Sequence, residues 1–445
     1  MDALSSDRVC PGLDGAMADR EAGPSMRASK PLLPRTALQI FVPFAAGYFL
    51  SYVFRTIDAT LAGELVRSLA LDARTLGLLT SVYFLTFAAF QLPLGMLIDR
   101  FGPRRVGASL LTIAAAGAAM FGLGHSVAVL LTGRALIGLG TSGALMTGLK
   151  ALVLRFDKDR LPLLNGCFIM CGGLGATAAT EPVHLIVRLI DWHVLFLGLA
   201  VASLATAGAI AALAPEAPSA VAAASRGDLL RGVVRIYRDP GFLRIAPLSS
   251  AVIGTAFAVQ SLWAARWMAD VSRFPPEAVI THLFAMGIAL TVGAVLIGVA
   301  GGVLKRRGVA PQTSFSYACA VFVILQALVV TRAPVPAFAL WSGFAVFGAM
   351  TTLSYTILAE LFPSELIGRA NGALNVLHLG MAFVIQFAMG TIVGLWHRDA
   401  AGHYPVQAYQ AAFLLPLFLC ALGLAWLLLG AREATAAVPC EEKQS

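Results

Sequence analysis

The sequence predicts an all-α membrane protein built from two six-helix bundles. Three observations carry that prediction. Hydrophobic residues make up 58% of the 445 positions and charged residues only 13%, about half the charged share of a soluble domain, roughly 25%. Apolar runs of about 20 residues recur along the chain, each long enough to cross a bilayer as a helix. A longer, basic link divides these runs into six and six. The domains therefore read as a cytoplasmic N-tail (1–35), a first bundle (36–213), a linker (214–242), a second bundle (243–430) and a cytoplasmic C-tail (431–445).

Residues 1–35 are polar, rich in Gly, Pro and Ser, and lack the apolar core of a signal peptide, so they read as a disordered tail. The first run, 37–61, carries Arg55 and Asp58 near its far end. The second, 75–98, ends in a tight basic turn. The third, 106–123, is rich in Ala and Gly, as membrane helix interfaces often are. A Gly-His-Ser turn leads to the fourth, 127–152, followed by the fifth, 162–185, and the sixth, 193–213. The link 214–242 opens with Pro, Ala and Ser and becomes basic at Arg226, Arg231, Arg235 and Arg238, the pattern of an amphipathic segment lying on anionic lipid. Runs seven to twelve cover 245–268, 279–303, 313–331, 337–360, 370–395 and 410–430.

The net charge of +8 does not point to nucleic acid, because the positive residues gather in alternate loops. They crowd the N-tail, the turn at 100–105, the stretch 155–160 and the central link. The intervening loops hold only Arg67, Arg74, Arg188, Arg273, Arg332 and Arg398. The positive-inside bias puts both termini in the cytoplasm and requires an even number of spans. The cysteines show no framework spacing. Cys167 and Cys171 lie one helical turn apart in an apolar run and read as packing residues rather than metal ligands.

The turn after the second run reads Gly95-Met-Leu-Ile-Asp99-Arg100-Phe-Gly102-Pro-Arg104-Arg105. Gly95 suits a close helix approach and Gly102 a sharp backbone turn. Asp99 can accept hydrogen bonds from the arginines. This spacing resembles the loop between helices 2 and 3 of the major facilitator superfamily. Lys305-Arg306-Arg307-Gly308 after run eight is a worn copy at the matching place, without the aspartate. Leu130-x-x-x-Arg134-x-x-x-Gly138-x-Gly140 in run four resembles the superfamily's second motif, and Phe362-Pro363-x4-Gly368-Arg369 its loop between helices 10 and 11. The resemblance covers about 37–430 and implies two bundles around a central cavity, facing each side of the membrane in turn. It also implies that Asp99 and its arginines latch the cytoplasmic ends of the helices. An arginine inside the membrane needs a partner, a wet cavity or a route for snorkelling to the interface, and Arg134 leaves all three open.

Arg55 and Arg266 hold equivalent places in runs one and seven. In the organic-anion branches of the superfamily, one arginine from each of these helices binds the anion, and the planar guanidinium fork suits carboxylate or phosphate. Both lie nearer the outer mouth than the midplane. The alternatives are an outer gate, with the arginines bridging to Asp58 and Glu181, and interfacial arginines in water. Asp58, three residues from Arg55, reads as its salt-bridge partner; Glu181 reads as the proton carrier. Gln260, Trp263 and Trp267 share a face of run seven with Arg266 close by. Asn371, Asn375 and His378 share a face of run eleven, with Gln386 farther along, and a mid-membrane histidine can bind substrate or titrate. Tyr83 and Tyr355 are further cavity candidates.

No phosphate-cradling loop followed by Lys-Ser/Thr is present, and no zinc-type His/Cys cluster, so no enzyme, ATP-driven pump, cofactor or metal is expected. The reading is a monomeric secondary transporter in a bacterial inner membrane, a symporter coupling a proton or cation to uptake of a small organic anion. An efflux antiporter for drugs or metabolites is the alternative, although run five lacks the Gly-Pro pair usual in such antiporters. A transporter-like receptor is the third class.

Overall fold

The structure, a computed structural model, describes residues 35–157, 159–216 and 226–436. The expected disordered N-tail, most of the expected C-tail, Cys10 and Cys440 lie outside the described residues. The described segments are almost wholly helical: α1 (Arg35–Leu69), α2 (Ala73–Leu123), α3 (Val127–Thr141), α4 (Ala144–Val153), α5 (Leu161–Ala178), α6 (Glu181–Val187), α7 (Trp192–Leu213) and α8 (Arg226–Tyr237) come first. Then follow α9 (Pro240–Ala258), a wide π-helical turn (Val259–Trp263), α10 (Ala264–Asp270), α11 (Pro276–Arg306), α12 (Pro311–Thr331), α13 (Ala337–Gly348), α14 (Thr351–Leu361), α15 (Ser364–Val393) and α16 (Val406–Ala436). Among these residues ten helices are long and apolar enough to cross a membrane, or eleven when α5 and α6, bent by 40°, form one span.

Helix α2 is 51 residues long, about 75 Å if straight and more than twice a bilayer core of about 30 Å. It does not run straight. Gly102 has φ 78° and ψ 159°, a conformation open to glycine and strained for other residues. Packing shows that the chain doubles back there. A Cβ on Gly138 would collide with the Tyr83 carbonyl, and one on Gly140 with the Ala114 amide. Two glycines two positions apart on α3 thus touch residues that a straight α2 would hold about 46 Å apart. Leu94 and Ile98 before the turn cluster with Val106 and Leu110 after it. Gly308, ending the second basic turn, has φ 83°, so both turns use a glycine at positive φ. Gly95 departs from expectation: nothing lies within 4 Å of where its Cβ would be, so it mediates no close approach.

Several spans are broken, and the freed carbonyls find partners. Between α3 and α4, Ser142 O accepts from Gln91 Nε2 at 3.1 Å, and Thr141 O from Ser51 Oγ at 3.4 Å. Between α5 and α6, Ala179 O accepts from Thr60 Oγ1 at 2.7 Å. Irregular backbone at membrane depth is tolerated only with such partners. A matching break falls at Ala349–Met350 between α13 and α14.

Helices α2 and α15 are the central pair. They pack along each other from Gly77 against Gly390, where a Cβ would come within 3.1 Å of Gly390 Cα, to Gln91, which accepts from Asn375 Nδ2 at 3.0 Å. At the end of the molecule that bears the basic turns, three ion pairs each join residues of the same half of the chain. Asp99 binds Lys150 of α4 at 3.1 Å rather than the neighbouring arginines, Arg105 binds Glu216 at 2.9 Å, and Lys305 binds Glu360 at 2.6 Å. The hydrogen bond from Arg105, helped by the charges of Arg105 and Arg104, holds the Glu216 carboxyl below its ordinary range. Helix α8 seats Ile236 among Phe242, Ala370 and Leu374, donates from Tyr237 Oη to Ala373 O at 3.0 Å, and leaves Arg235 and Arg238 exposed. The opposite end is cross-tied instead. Tyr404 Oη accepts from the Ala73 amide at 3.0 Å, and Arg398 donates to Leu71 O at 2.5 Å.

Candidate functional site

Helix α1 runs eight residues past the expected end of the first run, to Leu69. About 21 Å of helix therefore separates Arg55 from that end, and Arg55 lies deep rather than near the mouth. Its guanidinium stands 4.5 Å from the Tyr52 ring centroid, 4.9 Å from Phe257 and 5.4 Å from Phe87. Phe257 comes from α9 and stacks on Phe84 of α2 at 6.2 Å, so both halves of the chain wall the cation. Tyr48 Oη stands 3.5 Å from Tyr52 Oη, and Tyr83 Oη donates to Ser51 O, one turn before Arg55, at 3.3 Å. Arg55 is 8% exposed, and its Nε has no hydrogen-bond partner. Among the described residues it forms no ion pair; the expected bridge to Asp58 is absent.

Asp58 pairs instead with Arg134, which also donates to Phe54 O at 3.1 Å; both are buried. The reason lies in helical geometry. Three residues along α1, Asp58 faces α3, while Arg55 faces α2 and α9. The Arg134 guanidinium lies 5.3 Å from the Tyr83 ring, so Tyr83 borders both arginines. Snorkelling is excluded for Arg134 by its burial.

Arg266 does not join Arg55. It pairs with Asp270 one turn on, at 3.0 Å. Asp270, 1% exposed, also accepts from Tyr409 Oη and contacts His403 Nδ1 at 2.8 Å. Trp263 donates from Nε1 to Gln386 O at 3.3 Å, and Trp267 packs edge-on against Phe413, its ring centroid 4.9 Å away. Both indoles are core residues here. Gln260, on the π-helical turn just past Phe257, is partly buried. His378 is fully buried, with Nε2 2.8 Å from Ser249 Oγ and its ring 6.2 Å from Tyr355. Glu181 opens the short α6, is partly exposed, and forms no ion pair among the described residues.

The structure thus brings Tyr83 close to Arg55, places His378 beside Tyr355, and separately pairs Asp58 with Arg134. Arg266, Trp263 and Trp267 belong to a second cluster. Sequence reasoning missed Tyr48, Tyr52, Phe87, Phe257, Gln91 and Asp270. Asp270 alone carried a local signal, its i+4 spacing from Arg266; it lay just beyond the expected end of run seven.

The sequence profile of the major facilitator superfamily matches residues 44–385. The chain belongs to the Major Facilitator Superfamily. It is therefore an integral membrane transporter rather than an enzyme. A probable sulfoacetate transporter of Cupriavidus necator is 27% identical over 158 residues, and this match spans 35% of the chain and 36% of that relative. A bacterial homologue of the human lysosomal transporter Spinster, solved inward-facing and unoccupied, superposes with a TM-score of 0.71 at 15% identity, covering 91% of this chain and 98% of that one. A peptide transporter solved with sulfate gives 0.69 at 17% identity over 91% and 97%. At such identities these likenesses establish the fold alone.

Proposed function

We propose that this superfamily member is a secondary transporter that takes up a small organic anion, with Arg55 as the anion's anchor. One observation carries the reading: a deeply buried guanidinium, without a carboxylate partner among the described residues, walled by rings from both halves of the chain. A buried unpaired cation is costly, and an anionic ligand supplies what is missing. The partial relative named for sulfoacetate transport supports the anion class. His378, Asn375 and Gln260 are second-line candidates for the ligand; Arg266, Trp263 and Trp267 hold the far end of the second half together.

The remaining features fit alternating access. Counting α2 as two spans about Gly102, and α5 with α6 as one, raises the spans to twelve, arranged as bundles 36–213 and 243–430. The basic end faces the cytoplasm of a bacterial inner membrane, by the positive-inside bias. The buried Asp58–Arg134 pair is the coupling element: a proton on Asp58 would break the pair and free Arg134, which shares Tyr83 with the Arg55 site. Glu181, partly exposed at a helix start, is less suited to that part. The Asp99–Lys150 pair and the arginine contacts to Glu216 form the cytoplasmic latch.

The test is counterflow of labelled carboxylates into proteoliposomes holding the purified protein. Arg55→Ala is expected to abolish exchange while leaving expression and gel-filtration behaviour intact. Exchange of an anion at the native rate in Arg55→Ala would sink the anchor assignment.

A further inference from the structure

The charges buried around the site can be balanced one by one. Among the described residues the buried charged side chains are Arg55, Asp58, Arg134 and Asp270. Asp58 is neutralised by Arg134 and Asp270 by Arg266, whose side chain is 13% exposed. With His378 as the neutral imidazole bonded to Ser249, Arg55 leaves a surplus of a single positive charge. In a low-dielectric interior an uncompensated charge of either sign is strongly disfavoured. A neutral ligand would leave the surplus in place. A dianion would replace it with a buried negative charge. While the Asp58–Arg134 pair is intact, only a monoanion brings the site to neutrality.

The walls specify the rest of the ligand. Tyr52 and Phe87 come from the first half and Phe257 from the second, and Phe84 backs Phe257. Such faces accept flat apolar groups by offset or edge-on contact. The tyrosine hydroxyls stand close together, with Tyr48 and Tyr52 Oη 3.5 Å apart, ready to bind oxygens of the anionic head. The Arg55 Nε, buried and unpartnered, supplies a further donor.

We propose that this site selects a singly charged organic anion with an aromatic or similarly flat apolar body and rejects dianions. The inference rests on Arg55 as the substrate anchor. It also separates this chain from the substrate named for its partial relative, because sulfoacetate carries both a sulfonate and a carboxylate.

The experiment is calorimetric titration of the purified, detergent-solubilised full chain at neutral pH with benzoate, benzamide, propionate, phthalate and sulfoacetate. Benzoate is expected to bind roughly tenfold or more tightly than phthalate and sulfoacetate, a gap of about 1.4 kcal/mol or more. Benzamide should not bind, and propionate should bind more weakly than benzoate. Arg55→Gln should remove benzoate binding, and Phe257→Leu, which keeps an apolar side chain, should bring benzoate down toward propionate. Equal or tighter binding of a dianion, lost in Arg55→Gln, would overturn the single-charge rule while leaving the anion reading standing. Propionate binding as well as benzoate would overturn the flat apolar body. Binding of no anion, or benzoate binding untouched by Arg55→Gln, would overturn both this inference and the transport reading beneath it.

Discussion

Arg55 and Asp58 lie three residues apart on one helix, yet they serve different neighbourhoods. Adjacent ionisable residues read naturally as a pair in a linear sequence, and their types were legible there. Their partners were not, because which face of α1 meets α3 and which meets α2 and α9 depends on packing. The Asp58–Arg134 pair makes a direct prediction. Removing one member of a buried pair strands the other charge and typically costs about 3–5 kcal/mol. Asp58→Asn and Arg134→Gln are each expected to lower the melting temperature of the solubilised protein markedly. The double variant should recover part of the loss, since it strands no charge. A double variant as unstable as the sum of the singles would show that the two side chains act independently.

At the scale of elements, the two basic turns and the breaks in the spans decide the path of the chain. The Gly102 turn was legible, because glycine followed by proline between two apolar runs marks a reversal. Gly95 was misread, because a glycine's neighbours cannot be known from its own helix. The contrast can be tested by alanine substitution. Gly138→Ala and Gly140→Ala would each push a methyl group into backbone atoms of α2. A loss of folded protein in gel filtration is expected for both, consistent with overpacking penalties of about 1–3 kcal/mol or more. Gly95→Ala should leave the profile unchanged; a loss there as large as at Gly140 would mean that Gly95 packs against a partner after all. The breaks at Ser142 and Ala349 and the wide turn at Val259 were invisible in sequence. Such breaks depend on side chains from other helices to satisfy the freed backbone or fill the space, as Gln91 does at Ser142.

Across the whole molecule the two ends differ. At the basic end three ion pairs join residues of one half, whereas the opposite end is tied between the halves by the segment 398–404 over the start of α2. Tyr404→Phe removes the acceptor for the Ala73 amide, and a typical hydrogen bond contributes about 1 kcal/mol net. Opening of that end should rise roughly fivefold, read as faster maleimide labelling of a cysteine placed at Arg74, which packs beside Gly394. Unchanged labelling would show that this tie does not hold the end closed. Within the segment, Asp399 accepts from the His403 amide and pairs with Arg273 at 2.9 Å. These contacts, the amide first and then Arg273, hold its carboxyl below the ordinary range. A carboxyl lowered on folding contributes stability that is fully present above its unfolded value, about 4, and is lost as pH falls through the lower folded value. The segment should therefore stay ordered through neutral and mildly acidic pH and loosen only in stronger acid. Fluorescence anisotropy of a probe on Ala401→Cys would check this, and loosening between about pH 7 and about pH 5 would contradict it.

The sequence by itself determined that this chain is a polytopic helical membrane protein, where its basic turns lie, and which superfamily it resembles. Those properties follow from local composition: a bilayer demands long apolar helices, and charge in the loops is a one-dimensional signal. Only the tertiary structure decided that Arg55 stands inside a ring of aromatic side chains with no carboxylate partner among the described residues, that Arg134 claims Asp58, and that Arg266 belongs to Asp270. Charge pairing and ring contact act over a few ångströms between helices far apart in the chain, and no spacing along the sequence encodes which of them will meet.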